Sequence, residues 1–475
     1  MVIRHQLSRI IFLLILSEFA IFIGPALSQD SWIPYISQIK PSLVDENHTS
    51  DGFMVTLGSG RIIHFFRIDE GEWGDHAGNT GKIVKRYSDD QGNTWSYPSV
   101  VYADEFDDRN ITGALLDNDV ILLTFRRYEA YTVTHVDANI IISTDGGETW
   151  SERRVIESLV PNGYVFNVIP VPGRGFMMAT CTQYYVDVRF SPDGSCFDTI
   201  AYSWDYRISQ VIPIGEPVFT YVGDGKIIGL FRSNFITNLQ VVSDDYGYSW
   251  SEPDTTNIAD GYYVAAPQIF HDDLSGDTWA VACDRRGGNG TAFLNYNAEL
   301  WLYRQSHEDI FYNPKGYNLF AKYPRPIINY YRFYGYPVYT HCEHNHYLVV
   351  FTDCFKKINN REDTDFFQFD ITYENVTFTD TTSMEFSSIL AVSSFPNPAN
   401  ELTTLTYYVP QGYKGTLNIH IYSVSGEIVE TYEISDWRYG YNELPVNVSA
   451  YSDGTYIYGV YGIEGYSVNR LVVAR

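Results

Sequence analysis

Apolar residues in this chain come in short runs, ended by Gly, Asp, Asn or Pro and filled largely by Tyr, Phe, Val, Ile and Thr. Those residue types fit a pleated sheet, and long Ala/Leu/Glu/Lys stretches of helical period are missing. The pattern predicts an all-β protein. Runs at 82–87, 139–142 and 239–242 read as strands, each followed at once by a polar turn. The N-terminus is different. Arg4, His5 and Arg9 precede apolar runs at 10–16 and 19–23, and Pro25, Ala26, Leu27 and Ser28 follow. A charged head, an apolar stretch and a small-residue end predict a secretory signal over residues 1–28, cut near Ser28. Ser17 and Glu18 break the apolar run, which is short for a bilayer span. No later stretch is long and apolar enough to cross one.

The turns after those runs repeat. Ser88-Asp89-Asp90-Gln91-Gly92-Asn93-Thr94-Trp95, Ser143-Thr144-Asp145-Gly146-Gly147-Glu148-Thr149-Trp150 and Ser243-Asp244-Asp245-Tyr246-Gly247-Tyr248-Ser249-Trp250 share the pattern S-x-D-x-G-x-[ST]-W. A weaker copy starts at Ser191, and a still weaker one at Ser306. The intervals between starting serines are 55, 48, 52 and 63 residues. Repeats of this period, with about four strands each, predict a propeller. Ser and Asp side chains suit turn hydrogen bonds, Gly a positive φ, and Trp the space between sheets. The aspartates are therefore expected to serve the fold rather than chemistry.

These motifs resemble the Asp boxes of the sialidase-like (BNR-repeat) propellers, over residues 31–385. The resemblance implies six blades. After Met384 the texture changes. Phe395-Pro396-Asn397-Pro398-Ala399, then 417–422, Ser425-Gly426, Asp453-Gly454-Thr455-Tyr456-Ile457-Tyr458 and a closing Leu471-Val472-Val473-Ala474-Arg475 read as strands joined by Gly turns. This order resembles the type IX secretion C-terminal sorting domain of Bacteroidetes, over 393–475. The expected fold is an all-β, six-bladed β-propeller followed by a small C-terminal β-sandwich. Secretion, or attachment at the cell surface, with the type IX machinery as partner, follows from the resemblance.

Charge narrows the partners. With 58 acidic and 32 basic side chains the formal net charge is −26. That balance argues against nucleic acid, since binding phosphate needs clustered positive charge. Any cation cluster must act locally, within a Debye length of roughly 8–10 Å. The chain has five cysteines, Cys181, Cys196, Cys283, Cys342 and Cys354. In an exported protein Cys181–Cys196 and Cys342–Cys354 are possible pairs, with one thiol left over. No CxxC or Cys/His spacing supports zinc. His341, His344 and His346 are close in sequence, but a hairpin role suits them better than a metal.

The resemblance implies three arginines around a substrate carboxylate, an acid/base carboxyl, and a tyrosine nucleophile held by a glutamate. A planar guanidinium forks onto a carboxylate, and sialidases are the tyrosine exception among glycosidases. Gly215-Glu216-Pro217, Asp224-Gly225 and Phe231-Arg232-Ser233 resemble the family's E-P, D-G and R-S element. They make Glu216 the nucleophile's partner and Arg232 an arginine of the cluster. Arg67 resembles the family's F-R-I-P arginine, with Asp69 where proline is expected. Asp75 is the acid/base candidate by its place before the first box, and neighbouring His76 competes. Tyr336, in Tyr334-Gly335-Tyr336-Pro337, is the nucleophile candidate, with Tyr334 as near alternative. The third arginine falls among Arg285, Arg286 and Arg304; Arg286 is preferred for its Gly-rich loop. Asp107-Asp108-Arg109-Asn110 is a charged cluster, its Asp108 and Arg109 suited to sugar hydroxyls, or a plain charged turn. No metal or organic cofactor is implied. The expected activity is that of an exo-α-sialidase-like hydrolase removing a terminal acidic sugar from glycans. The alternatives are a propeller glycosidase or lyase on another polysaccharide, and a surface propeller that binds glycan or protein without turnover.

Overall fold

The computed structural model describes residues 30–377 and 392–475, except 38, 44–46, 71–77, 160–162, 183, 206–213, 234–236, 259–263, 285–299, 306–312, 324–331, 344, 357–361, 410–412, 424–427, 439 and 463–464. The proposed signal at 1–28 and the weak repeat beginning at Ser306 lie outside the described residues.

Six antiparallel sheets follow one another along the chain. Their first strands are His48–Thr56, Asp107–Leu115, Tyr164–Val171, Ile214–Gly223, Val264–Asp272 and Arg332–Glu343. Each first strand packs against the first strands of both neighbouring sheets, the sixth against the first, so they close a ring. This is a six-bladed propeller with the first strands innermost. The last blade is completed from the other end of the chain: Asp30–Ile36 pairs antiparallel with Glu362–Thr377, Asp30 opposite Thr377 and Ile36 opposite Ile371.

The apolar residues explain why the blades stay in register around the ring. Six hydrophobic clusters each lie between two adjacent blades, for example Phe65 and Ile83 of blade 1 with Leu123 and Phe125 of blade 2. A strand can be apolar on both faces only where both are covered, and stacked blades cover both. The box tryptophans join these layers. Trp95 donates to Gln368 Oε1 of blade 6 at 3.0 Å. Trp150 meets Phe65 of blade 1 edge-on, and Trp250 meets Trp204 of blade 3. Each box therefore fastens its blade to the preceding one.

Inside the boxes the expected turn bonding holds. Ser143 Oγ donates to Asp145 and accepts from Gly147 N at 2.8 Å. Asp145 accepts from the Thr149 amide and hydroxyl. Ser88/Asp90 and Ser243/Asp245 repeat the arrangement. The hydroxyl and amide hydrogen bonds to Asp145 depress its pKa.

The disulfide expectation is corrected. Cys181, Cys196 and Cys342 are free thiols. Cys181 ends the second strand of blade 3, opposite Tyr164, whereas Cys196 sits at the box turn at the blade's other end. Cys342 lies beside the hairpin where His341 pairs with Tyr347, far from Cys354, which pairs with Phe333. Burial pushes the Cys181 thiol up to about 12.

The C-terminal residues form two further sheets, one of three strands and one of four. Leu405 and Tyr407 of the first and Leu417, Ile419, Ile421, Tyr458, Val460 and Leu471 of the second share one core. This is the small sandwich.

Candidate active site

All six inner strands carry a β-bulge near their start, each inserting one extra residue relative to the second strand. Bulges kink a strand and re-aim its side chains. The residues paired at the bulge entries are Ser50 with Arg67, Arg109 with Arg126, Val165 with Thr180, Gly215 with Arg232, Ala265 with Cys283, and Gly335 with Thr352. In blades 2, 4 and 6 the first bulged residue has a left-handed backbone: Asn110 (φ 51°), Glu216 (φ 44°) and Tyr336 (φ 48°). That conformation costs a residue with a Cβ roughly 1–2 kcal/mol. Such strain concentrates at functional positions.

The bulges lie at the end of the propeller opposite the boxes. In blade 1, box Ser88 pairs with Ile62 at the start of the second strand, while Arg67 stands five residues on, about 16 Å along it. Arg67, Glu216, Arg232 and Tyr336 thus share one level of their blades. Arg304 does not. It bonds buried Asp277 at 2.7 Å, and its neighbour Gln305 pairs with Thr278 at the start of the second strand of blade 5. That is the box end, and the arginine is structural there.

A chain of contacts links blades 1 to 3 at the bulge level, and charge carries it on to blade 4. Arg67 is fully buried. Its Nε donates to Asp107 Oδ1 at 2.6 Å and its Nη2 to Asp69 Oδ2 at 3.0 Å. Asp69 also accepts from the Thr80 hydroxyl. A Cβ at Gly81 would collide with both Asp107 and Arg67, so glycine there lets the pair close. Asp107 reaches Arg109 Nη1 at 3.4 Å. Arg109 faces the Tyr128 ring, as does Arg126, whose Cζ lies 4.4 Å from the Tyr164 ring centre. Tyr164 in turn lies in the field of Glu216 and Arg232. Arg232 Nη1 donates to Glu216 Oε1 at 2.7 Å, with both side chains about one-sixth exposed.

The cluster at 107–110 divides: Asp107 and Arg109 meet, whereas alternation along the strand sends Asp108 to other partners. Arg109 meets Asp107 and Tyr128. Asp108 accepts from the Asp104 amide at 3.2 Å, and its other oxygen has no partner among the described residues. Burial, reinforced by the Asp104 charge, raises the Asp108 carboxyl to about 8. Asp75, His76, Arg285 and Arg286 lie outside the described residues. His341 stacks on Tyr347, and His346 bonds Asp370 at 2.8 Å. Among the described residues no group of His, Cys, Asp and Glu is arranged to hold a metal.

One residue of this level escaped the sequence reading, Arg126. A signal existed for Arg126. The dipeptide Phe-Arg occurs three times in the chain, at Phe66-Arg67, Phe125-Arg126 and Phe231-Arg232. In each the Phe enters an inter-blade core and the Arg stands opposite a bulge entry. A cleft of about 840 Å³ at the box end, lined by Leu57, Arg61, Asp89, Asp145, Glu148 and Glu343 among others, is set apart from this level. Its Asp145 is tied into the box turn, and Asp89 is held by Arg61.

Comparison with known proteins agrees with both halves of the chain. Residues 393–474 match the family model of the secretion system C-terminal sorting domain. A protein of unknown function from Dyadobacter fermentans DSM 18053 superposes with TM-score 0.56 at 13% identity, covering 72% of this chain and 99% of that one. NanB with Optactamide gives 0.52 at 13% identity, covering 69% and 68%. A variant of NanB sialidase from Streptococcus pneumoniae gives 0.50 at 13% identity, with the same coverage. At this identity the likeness is one of fold. One curated protein, UDP-N-acetylmuramate–L-alanine ligase of Chlorobium chlorochromatii, is 28% identical over 82 residues. The matched stretch is 17% of this chain and spans 18% of the ligase's length.

Proposed function

We propose that this sialidase-like propeller, carried out of the cell or to its surface by a type IX sorting domain, is a glycoside hydrolase acting on glycans at the bulge end of its ring. Tyr336 attacks the anomeric carbon, and Glu216 takes the phenolic proton as the C–O bond forms. Asp75 or His76 protonates the leaving oxygen, then draws a proton from the water that releases the sugar, so that configuration is retained. Arg232 fixes Glu216 and shares in holding the sugar's acidic group, with Arg286 as the loop-borne partner. Arg67, expected to hold the sugar's carboxylate, is fully buried on Asp69 and Asp107 and acts instead through Asp107, which it orients. A neutral tyrosine suits an anionic sugar, from which a carboxylate nucleophile would be repelled.

The observation that carries this reading is the shared left-handed bulge position of Glu216 and Tyr336. Sequence context points to both, and both stand left-handed at the first bulged position of an inner strand, as Asn110 does in blade 2. The test is release of a fluorophore from a sialic-acid conjugate, set against a panel of other glycosides. No hydrolysis across the whole panel, with glycan binding retained, would leave a binding propeller.

A second reading, a propeller glycosidase or lyase for another polysaccharide, is favoured by Asp69. Where the family has proline, this chain puts a carboxylate on the Arg67 guanidinium. Activity on a uronic-acid polysaccharide, with none on the sialoside, would select it.

A further inference from the structure

We infer that the box end of blades 3 and 4 carries a second, non-catalytic binding site, and that its ligand is a pyranose of a neutral glycan. The site goes beyond the proposed function, which places the chemistry at the bulge end. The box pattern leaves its fourth and sixth positions variable. They hold Gln91 and Asn93 in the first box, Gly146 and Glu148 in the second, and Tyr246 and Tyr248 in the third. The fourth position is left-handed in all three, with φ of 58°, 70° and 61°. Glycine meets that demand freely, whereas a residue with a Cβ is strained by it. The third box nevertheless puts a large ring there. Neither tyrosine belongs to the apolar cores on the two sides of blade 4.

Both rings are held in place. The Arg174 guanidinium lies between two aromatic faces, its Cζ 3.4 Å from the Phe190 ring centre and 3.7 Å from that of Tyr248. Its Nη1 donates to the Tyr246 carbonyl at 2.8 Å. Such a stack fixes the plane of Tyr248. With one face on Arg174, Tyr248 still exposes 66% of its surface, so its other face meets solvent. Tyr246, 39% exposed, lies over hairpin turns of two blades: a Cβ at Gly225 would come within 2.6 Å of the ring, and one at Gly173 within 3.7 Å. The Tyr246 amide donates to the Gly225 carbonyl at 2.6 Å. Two rings fixed before a ligand arrives offer dispersion contact to the C–H face of a sugar, with little ordering left to do. Charge selects which sugar. Both faces of Arg174 are covered by rings. Asp224 adjoins Gly225, Asp244 precedes the two tyrosines in the box, and both are exposed. Carboxylates accept hydrogen bonds from sugar hydroxyls and repel an acidic sugar, so the fitting ligand is uncharged.

The test uses the full exported chain. Binding of cellohexaose, xylohexaose, mannohexaose, chitohexaose and hexagalacturonic acid is measured by calorimetry for the wild type, Tyr248→Ser and Tyr246→Gly. Each variant should bind the neutral hexasaccharide that the wild type prefers about fivefold or more weakly. Glycine suits the left-handed backbone at 246, so the melting temperature of Tyr246→Gly should stay near that of the wild type, and lost binding is then not lost folding. Release of a fluorophore from a small glycoside at the bulge end should be unchanged in both variants. Equal Kd values in all three chains, or a wild type that binds no neutral hexasaccharide, overturn the inference and leave the proposed function standing. Tyrosine-dependent binding of hexagalacturonic acid in preference to the neutral sugars overturns the choice of ligand. A concentration-dependent dimer in sedimentation, lost in Tyr248→Ser, would assign the rings to a second copy of the chain and overturn the site. A wild type that hydrolyses no glycoside but shows the tyrosine-dependent affinity keeps the site and removes the proposed function.

Discussion

Glu216 and Tyr336 stand at the same point of blades 4 and 6, each following the glycine at a bulge entry and each forced left-handed, with φ of 44° and 48°. Gly215 and Gly335 pair directly with Arg232 and Thr352, so the extra residue is pushed out of the ladder in both blades. The side chain that follows is aimed by the backbone rather than by a flexible loop. A site built on strands holds its geometry more tightly than one built on loops.

Tyr336→Phe should therefore keep the fold and lose the chemistry. Phenylalanine meets the same backbone demand at position 336, so the melting temperature should change little. Without the hydroxyl there is no nucleophile, and kcat should fall by about a thousandfold or more. Steady-state release of the fluorophore on the substrate the wild type prefers measures this. Normal turnover by the variant would move the nucleophile elsewhere, with Tyr334 the first candidate.

Asp107→Asn should be among the most destabilising single changes at this end of the ring. Asp107 and Arg67 are both fully buried and 2.6 Å apart. Neutralising Asp107 leaves Arg67 leaning on Asp69 and weakens the contact to Arg109, at a cost approaching the about 3–5 kcal/mol of a broken buried pair to the extent that Asp69 does not compensate. Urea unfolding would show it as a lower midpoint with an unchanged slope. A loss below about 1 kcal/mol would mean that Asp69 alone satisfies the arginine.

Much of the architecture was legible because the box is a local device. Ser, Asp, Gly and Trp at fixed spacing specify a turn whose bonds all fall within the motif, and the tryptophan announces the neighbouring sheet. The blade count and the ring followed from its period. The C-terminal sandwich was legible for the same reason, through a short run of landmarks. The bulge level was harder. Glu216, Arg232 and Tyr336 could be picked out because their neighbours resemble a known element. Asp107 stood out only as part of a charged cluster; its bond to Arg67 of another blade, 40 residues away, could not be read from it. Nor did the sequence divide Asp108 from Arg109, because strand alternation shows only once the strand's start is known. The cysteines misled for a related reason: nearness in sequence said nothing of which end of a blade each thiol occupies.

Asp108 should make the protein less stable as pH rises. Its folded carboxyl titrates at about 8 against 3.8 for the free side chain. The unfolded chain thus releases this proton first, and the stabilisation is complete below about pH 4. It is lost progressively up to about pH 8, at about 1.4 kcal/mol per pH unit, and then levels off. Asp104 and Asp107 add negative charge around this carboxyl and Arg127 positive charge. Asp108→Asn, neutral at every pH, should flatten the curve between pH 4 and 8. Parallel wild-type and variant curves from chemical unfolding would show that the carboxyl is ionised in the fold.

Ser143→Ala separates the two ends of the propeller. The Ser143 hydroxyl is fully buried, donates to Asp145 and accepts from the Gly147 amide at 2.8 Å. Alanine leaves that buried N–H without its acceptor, at a cost of about 1–2 kcal/mol. The box also seats Trp150 against Phe65 of blade 1, so the loss weakens the junction between blades 1 and 2. Yet the serine lies at the start of the second strand's ladder, opposite Ile121, while Arg126 stands at the other end. Stability should fall while kcat and KM at a temperature well below the transition stay within about twofold. The lost bond falls within the box turn, and the ladder pairing between Ile121 and Arg126 is untouched by it. A large change in kcat with little change in stability would mean that the box end shapes the site, and the separation of fold and chemistry along the propeller axis would have to be given up.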